Sequence, residues 1–311
     1  MRVLITGGAG FGGSGLARAL LEKRHEVTVL DIIAPAHAET INGLDPGIKY
    51  LWKASQDLTP NDLSDMDVVV HLAAQADVPM GFSSPRWTME QCVGSTLSLL
   101  EAIKELGPSN YPSKVIYASS GNVFGRSKYI PIDEDHPLTP HNPYAAAKAA
   151  AELYVWAYHR CYGIPITVMS NGAVIGPGMR REIFIFKWLW NILHGEPVVL
   201  EGGSQTRDLT HVDDVISAWM GALEAPVETT VGQKYQVSYG EEHSVSEILN
   251  WCLEIAGEVE VIHEGYRPGE KGQRESFTNL KARKDLGYDP HIPPRQGILQ
   301  TWEWVKTLGP A

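Results

Sequence analysis

The chain has only three cysteines, Cys92, Cys161 and Cys252, spread widely over 311 residues. No zinc-ligand spacing and no disulfide framework can be drawn through them, which fits a reducing cytoplasm and excludes a cysteine-held metal site. No apolar run is long enough to span a bilayer. The first residues lack the basic-then-apolar layout of a signal peptide, so a cytoplasmic location off the membrane is expected. Positive charge is also scarce: 26 Lys and Arg stand against 37 Asp and Glu, a net charge of -11. That balance excludes a sequence-independent grip on nucleic acid or an anionic membrane. A nucleotide ligand needs only a local positive spot and stays open. Internal repeats and low-complexity stretches are absent. What remains is a hydrophobic content of 43%, enough for a substantial core in one large or two intimately joined domains.

One stretch organises the rest: Asn142-Pro-Tyr-Ala-Ala-Ala-Lys148. Pro143 suits the first turn of a helix, where its missing N–H costs nothing, and the alanines that follow are strong helix formers. Tyr144 and Lys148 then stand at i and i+4 on one face. A phenol is a poor base at its reference pKa of about 10, and a nearby ammonium lowers it. Such a pair can take a proton from a substrate hydroxyl. The pattern alone is common by chance, so its company decides.

That company begins at the first residue. Met1 to Thr6 reads as a buried strand, Gly7-Gly-Ala-Gly10-Phe11-Gly12-Gly13 as a glycine turn, and Leu16 to Leu21 as a helix. Gly7 would make the tight turn, Gly10 would admit a pyrophosphate, and Gly13 would let helix pack on strand. Glu26 to Asp31 is a second strand ending in an acid, placed to accept from ribose hydroxyls and to repel a 2′-phosphate. No Arg or Lys follows in Ile32-Ile33-Ala34-Pro35, which favours NAD over NADP. Further strands are expected at Ile48–Trp52, followed by Asp57-Leu58, at Val68–His71, ending in Leu72-Ala73-Ala74, and at Lys114–Ser120, ending in Ser119-Ser120. A helix is expected over Thr96–Leu106. Strands alternating with helices predict an α/β, Rossmann-type doubly wound parallel sheet. Its ligands bind at the carboxyl ends of the strands, where the glycines, Asp31, Asp57, Ala73-Ala74 and Ser119-Ser120 all fall.

With these residues in place, the chain resembles the extended short-chain dehydrogenase/reductases, in the NAD-dependent nucleotide-sugar epimerase/dehydratase family. The resemblance runs through the glycine turn, Asp31, His71-Leu-Ala-Ala74, Ser119-Ser-Gly-Asn-Val-Phe-Gly125, the Tyr144–Lys148 stretch, Gly176-Pro177, Arg207-Asp208, His211-Val-Asp-Asp214 and Arg267-Pro-Gly269. It implies an NAD-binding Rossmann domain over residues 1–170 and a smaller C-terminal α/β domain over 171–311 that holds a nucleotide-sugar, UDP-linked for preference. Segments such as 207–240 are expected to return to the first domain. The resemblance implies Ser120, Tyr144 and Lys148 as catalytic residues. Gly7, Gly10, Phe11, Gly12, Gly13, Asp31, Ile32, Asp57, Leu58, Leu72, Ala73, Ala74, Ser119, Tyr144 and Lys148 would hold NAD. Ser120, Gly121, Asn122, Arg180, Arg207 and Arg274 would hold the substrate. It also implies a homodimer through the helices at Thr96–Leu106 and Tyr144–Tyr158, the second carrying Leu153, Tyr154 and Trp156.

The chain departs from the family in places. Dehydratases of the family carry Asp-Glu directly after the catalytic Ser or Thr, and decarboxylases a Glu; here Gly121 and Asn122 stand. That points away from water elimination and from loss of CO₂, and toward a 4-epimerase. Decarboxylase, dehydratase and dehydrogenase are the alternatives within the family, and a non-catalytic dinucleotide sensor the alternative outside it. Gly12 replaces a branched residue, Gln91 an Asn and Phe124 a Tyr, while Ser170 and Ala173 replace an Arg and an Asn. Met179-Arg180-Arg181-Glu182 reads as the start of an apolar helix reaching Leu193, which would aim Arg180 at an anion. The segment resembles that of glucuronate 4-epimerases, in which an Arg after this turn binds the carboxylate. UDP-glucuronate is therefore expected ahead of UDP-glucose.

Overall fold

The apolar runs become strands with side chains buried on both faces. The computed structural model describes residues 1–37, 44, 45 and 47–309. In chain order the strands are β1 (Arg2–Thr6), β2 (Glu26–Asp31), β3 (Lys49–Trp52), β4 (Val68–His71), β5 (Lys114–Ser120), β6 (Ile166–Asn171), β7 (Ala173–Ile175), β8 (Val198–Glu201), β9 (Thr206–Arg207), β10 (Leu209–His211), β11 (Lys234–Val237), β12 (His243–Ser244) and β13 (Val261–Glu264). Seven form one sheet in the order β11-β6-β5-β4-β1-β2-β3, and every pairing in it is parallel. The order reverses direction between β1 and β4. In open α/β sheets the ligand crevice lies at such a switch point, beyond the carboxyl ends of the strands.

Alternation along the strands splits the core in two. Val3, Ile5, Val68 and Val70 pack with Leu16 and Leu20 of the helix Phe11–Glu22 and with Val215 and Trp219 of the helix Val212–Glu224. Leu4, Val69 and Val115 pack on the other face with Leu99 and Ile103 of the helix Ser95–Leu106 and with Ala151 and Val155 of the helix Pro143–Tyr162. A third core joins Ile185 and Leu189 of the helix Phe184–Leu193 to Ile248, Ile298 and Val305 of the helices Val245–Ala256 and Pro294–Thr307. Paired strands β7–β10, β9–β12 and β8–β13 lie outside the main sheet. Both β11 and the helix Val212–Glu224 belong to the sheet and its cover, although they follow β7 to β10 in the chain.

Among the departures from the sequence reading, two concern the main sheet and the cavity wall. The sequence signals no strand at β11, because its four residues include Lys234 and Gln236, both buried in the structure. The apolar helix begins at Phe184, not Met179. Cations are disfavoured at the positive end of a helix, and the chain passes Arg180 in irregular backbone and Arg181 in a turn before the helix starts.

Buried charges fasten the cover to the sheet. Lys114 Nζ donates to the carbonyls of Ala222 at 2.8 Å and Leu223 at 3.0 Å and to that of Ala225, closing the C-terminal end of the helix Val212–Glu224. Glu152 accepts from Ser119 Oγ at 2.5 Å and from Lys234 Nζ at 2.7 Å. This ties the helix Pro143–Tyr162 to β5 and β11. Among the described residues no helix is long and apolar enough to cross a membrane.

The side chains of Glu152 and Lys234 are only 2% and 8% exposed, so removing one partner strands the other in the core. Glu152→Ala should lower stability by about 3–5 kcal/mol in urea unfolding. Glu152→Leu/Lys234→Met should lose less than that single change. Additive losses would contradict the pairing.

Candidate active site

Along the carboxyl edge of the sheet lies a cavity of about 560 Å³. Its floor is the turn between β1 and the helix Phe11–Glu22. Gly7 has φ of +70°, and a Cβ there would lie 2.7 Å from Ala73 N, so only glycine lets this turn approach the end of β4. No side chain caps the helix, and its first turn carries no acid, an arrangement that leaves its N-terminal N–H groups and dipole to an anion. Asp31, at the end of β2, accepts from Ala9 N at 3.0 Å and Ile33 N at 3.1 Å. The carboxylate braces the glycine turn from the next strand. A dinucleotide fits this layout, its diphosphate at the uncapped helix and its ribose at Asp31.

The opposite wall carries Ser120, Tyr144 and Lys148. Asn142 accepts from Ala145 N at 2.8 Å and so starts the helix Pro143–Tyr162. Tyr144 and Lys148 both line the cavity and are 7% and 5% exposed. Burial pushes the Tyr144 phenol up to about 12, and the neighbouring Cys92 adds to this. A hydrogen bond with Ser120 and the Arg180 guanidinium pull it back. This corrects the expectation that the Lys148 ammonium would be the group lowering it. Lys148 is instead directed to the end of β5: its Nζ donates to Ala118 O at 2.6 Å and lies 4.5 Å from the centre of the Tyr117 ring. Burial lowers its own pKa. Ser120 Oγ accepts from Asn122 N at 3.2 Å, and its own proton is available to Tyr144.

Gly7, Gly10, Phe11, Gly12, Gly13, Asp31, Ile32, Leu72, Ala73, Ala74, Ser119, Ser120, Asn122, Tyr144, Lys148, Arg180 and Arg207 all line this one cavity. Four expected residues do not. Asp57 is exposed and Leu58 lies in the core against the sheet; Lys53, Ser55 and Gln56 face the cavity in their place. Gly121 is buried against Phe277, whose ring would lie 2.5 Å from a Cβ at that position. Arg274 is exposed and paired with Glu242, Nε to Oε1 at 2.7 Å and Nη2 to Oε2 at 2.5 Å.

Arg267 takes the place expected of Arg274. It lines the cavity with Arg207 and is bound to Glu201. The signal for it is present in Arg267-Pro-Gly269, one of the matching family pieces. Arg207 is held by Glu270 at 3.1 Å and Glu275 at 3.7 Å. Arg180 contrasts with both: its Nη2 donates to Ala76 O at 2.6 Å, and no carboxylate among the described residues lies within ion-pair distance of it. Other cavity residues to which the sequence alone assigns no role are Gln91, Ser95, Asn171 and Trp219.

A model of the NAD dependent epimerase/dehydratase family matches residues 3–238. The chain belongs to that family. It is 32% identical to a UDP-glucose 4-epimerase of Mycolicibacterium smegmatis, covering 98% of this chain and 99% of that one. It is 30% identical to a dTDP-glucose 4,6-dehydratase of Streptomyces niveus, covering 98% and 93%. Among solved structures, the UDP-glucuronic acid 4-epimerase of Bacillus cereus, in complex with UDP-glucuronic acid and NAD, superposes with a TM-score of 0.91 at 27% identity, covering 99% of this chain and all of that one. The family makes the chain an NAD-dependent enzyme with the Rossmann architecture described above.

The departure at Gly12 has a structural partner. A Cβ on Gly12 would lie 2.9 Å from Trp219 Cη2, so the indole occupies the space a branched side chain would need. Gly12→Val should therefore cost about 1–3 kcal/mol by overpacking, and Gly12→Val/Trp219→Leu should recover most of it in urea unfolding. Equal stability of Gly12→Val and the parent protein would contradict this account.

Proposed function

We propose that the protein is a nucleotide-sugar 4-epimerase acting through a transient 4-keto sugar, with UDP-glucuronate as substrate ahead of UDP-glucose. The reaction type rests on the two residues directly after Ser120. Gly121 is packed under Phe277, which leaves no room for a dehydratase-type acid, and Asn122 supplies an amide where a decarboxylase has Glu. Ser120, Tyr144 and Lys148 line one wall, the set needed to oxidise and re-reduce an alcohol without eliminating anything from it.

In this reading Ser120 donates to the C4 oxygen, and Tyr144 takes the C4 hydroxyl proton and later returns it. Lys148, joined to Ala118 O, binds the nicotinamide ribose. Bound NAD supplies the reversible hydride acceptor and, when oxidised, a positive charge that favours the Tyr144 phenolate. Turning the 4-keto sugar within the cavity and reducing its other face yields the C4 epimer. Arg207 and Arg267 hold the diphosphate by charge-assisted bonds. They carry carboxylate partners that the phosphates must share or displace.

Arg180 supports the uronate. It is the cavity arginine with no carboxylate partner among the described residues, and it stands close enough to Tyr144 to stabilise its phenolate. A 4-keto uronate is a β-keto acid, and a bidentate grip on its carboxylate holds that group out of line with the carbonyl, so CO₂ is retained. The Bacillus cereus neighbour, a glucuronic acid 4-epimerase at full-length coverage, supports the same reading. Exposed Leu153 and Tyr154, at 61% and 44%, support a homodimer through the helix Pro143–Tyr162.

Steady-state turnover on both sugars tests this. Arg180→Ala should lose about 10- to 100-fold more on UDP-glucuronate than on UDP-glucose, the worth of a charged hydrogen bond. Tyr144→Phe should lose about 10²-fold or more on either while keeping NAD bound. Equal losses for Arg180→Ala on the two sugars, or turnover of UDP-glucose alone by the parent protein, would overturn the uronate assignment.

A further inference from the structure

The Asp31 end of the cavity holds a cation that the linear sequence hides. β2 and β3 run parallel with Asp31 opposite Trp52. Lys53 therefore leaves the sheet one residue beyond, its N–H donating to Asp31 O at 3.1 Å. Both side chains line the cavity. An ammonium at the ribose end is what a 2′-phosphate would seek, and it would offset the repulsion from Asp31.

Lys53 is not left available. Its Nζ lies 2.5 Å from Asp62 Oδ2 and 3.3 Å from Asp57 O. Asp62 is itself fixed, since Oδ2 accepts from Thr59 N at 2.8 Å and from Thr59 Oγ1 at 2.7 Å. The pair is sheltered, with side chains 27% and 16% exposed, so solvent screens it less than a surface bridge. No part of this contact is required by the chemistry at Tyr144, which belongs to the other wall.

We propose that Asp62 is a second determinant of cofactor choice: it holds the Lys53 ammonium away from the ribose, so a 2′-phosphate meets the Asp31 carboxylate and no compensating cation. Asp31 repels the phosphate, and Asp62 withdraws the group that would bind it. Removing Asp31 alone then leaves NADP binding weak, because Lys53 remains paired. Release of Lys53 is the missing step.

The test is binding, read by fluorescence titration of the cofactor-stripped full chain with NADH and NADPH. Asp31→Ser/Asp62→Asn should bind NADPH about tenfold or more tightly than Asp31→Ser, the scale of one charged hydrogen bond, with NADH affinity matching between the two. Adding Lys53→Met should abolish the gain. Lys53→Met placed on Asp31→Ser alone leaves the Thr59–Asp62 turn untouched, and there it should change NADPH affinity little. Equal NADPH affinity of Asp31→Ser and Asp31→Ser/Asp62→Asn overturns the proposal. So does a gain that survives Lys53→Met, or a marked loss of NADPH binding when Lys53→Met is added to Asp31→Ser alone.

Discussion

The site depends on how one helix is docked onto the end of one strand. Lys148 and Glu152 lie one turn apart on the helix Pro143–Tyr162, and both are buried. The first donates to Ala118 O, and the second accepts from Ser119 Oγ and Lys234 Nζ. Two of these polar contacts fix the helix against the carboxyl end of β5, and the third ties it to β11. They set Tyr144 and Ser120 facing one cavity. Polar groups this deep are costly unless satisfied, and a satisfied set specifies one arrangement. The same burial raises the Tyr144 pKa, so the docking that positions the phenol also obliges the site to supply positive charge before the phenol can act as a base.

The cavity's electrostatics follow a second constraint. Under the proposed function, a chain with a net charge of -11 must still receive an anionic substrate. Arg180, Arg207 and Arg267 converge on the cavity, but two of them are already neutralised by Glu270 and Glu201. Pairing holds these guanidinia in place in a partly buried setting where a lone cation would be unstable. Lys53 is treated likewise by Asp62. Against this pattern Arg180, with no carboxylate partner among the described residues, stands out, and its guanidinium acts to lower the Tyr144 pKa.

The sheet is legible in the sequence because parallel strands buried on both faces read as unbroken apolar runs. β2 and β5 keep the bounds the sequence indicates, and the residues at the strand ends line the cavity. The glycine turn, Asp31 and the Tyr144–Lys148 pair are legible because local spacing displays them, while Ser120 is singled out through the family resemblance. What escapes depends on pairing between distant segments. Lys53 reaches the Asp31 end through the register of β2 with β3, which no linear spacing displays. Arg267 and Arg274 look alike in a Gly/Pro-rich loop, and only folding shows that one turns to the cavity while Glu242 holds the other outside. Gly121 comes directly after Ser120 but is covered by Phe277, from a segment near the other end of the chain. β11 is short and carries buried polar side chains that mimic a surface segment.

The central claim is that oxidation at C4 is reversed within the same cavity, with nothing lost from the sugar. It is tested most directly by following UDP-glucuronate carrying deuterium at C4 by NMR in ordinary water. The expected product is the C4 epimer with deuterium retained at C4 and the C6 carboxylate intact. Release of CO₂, elimination of water, or wash-out of the label into solvent would contradict it.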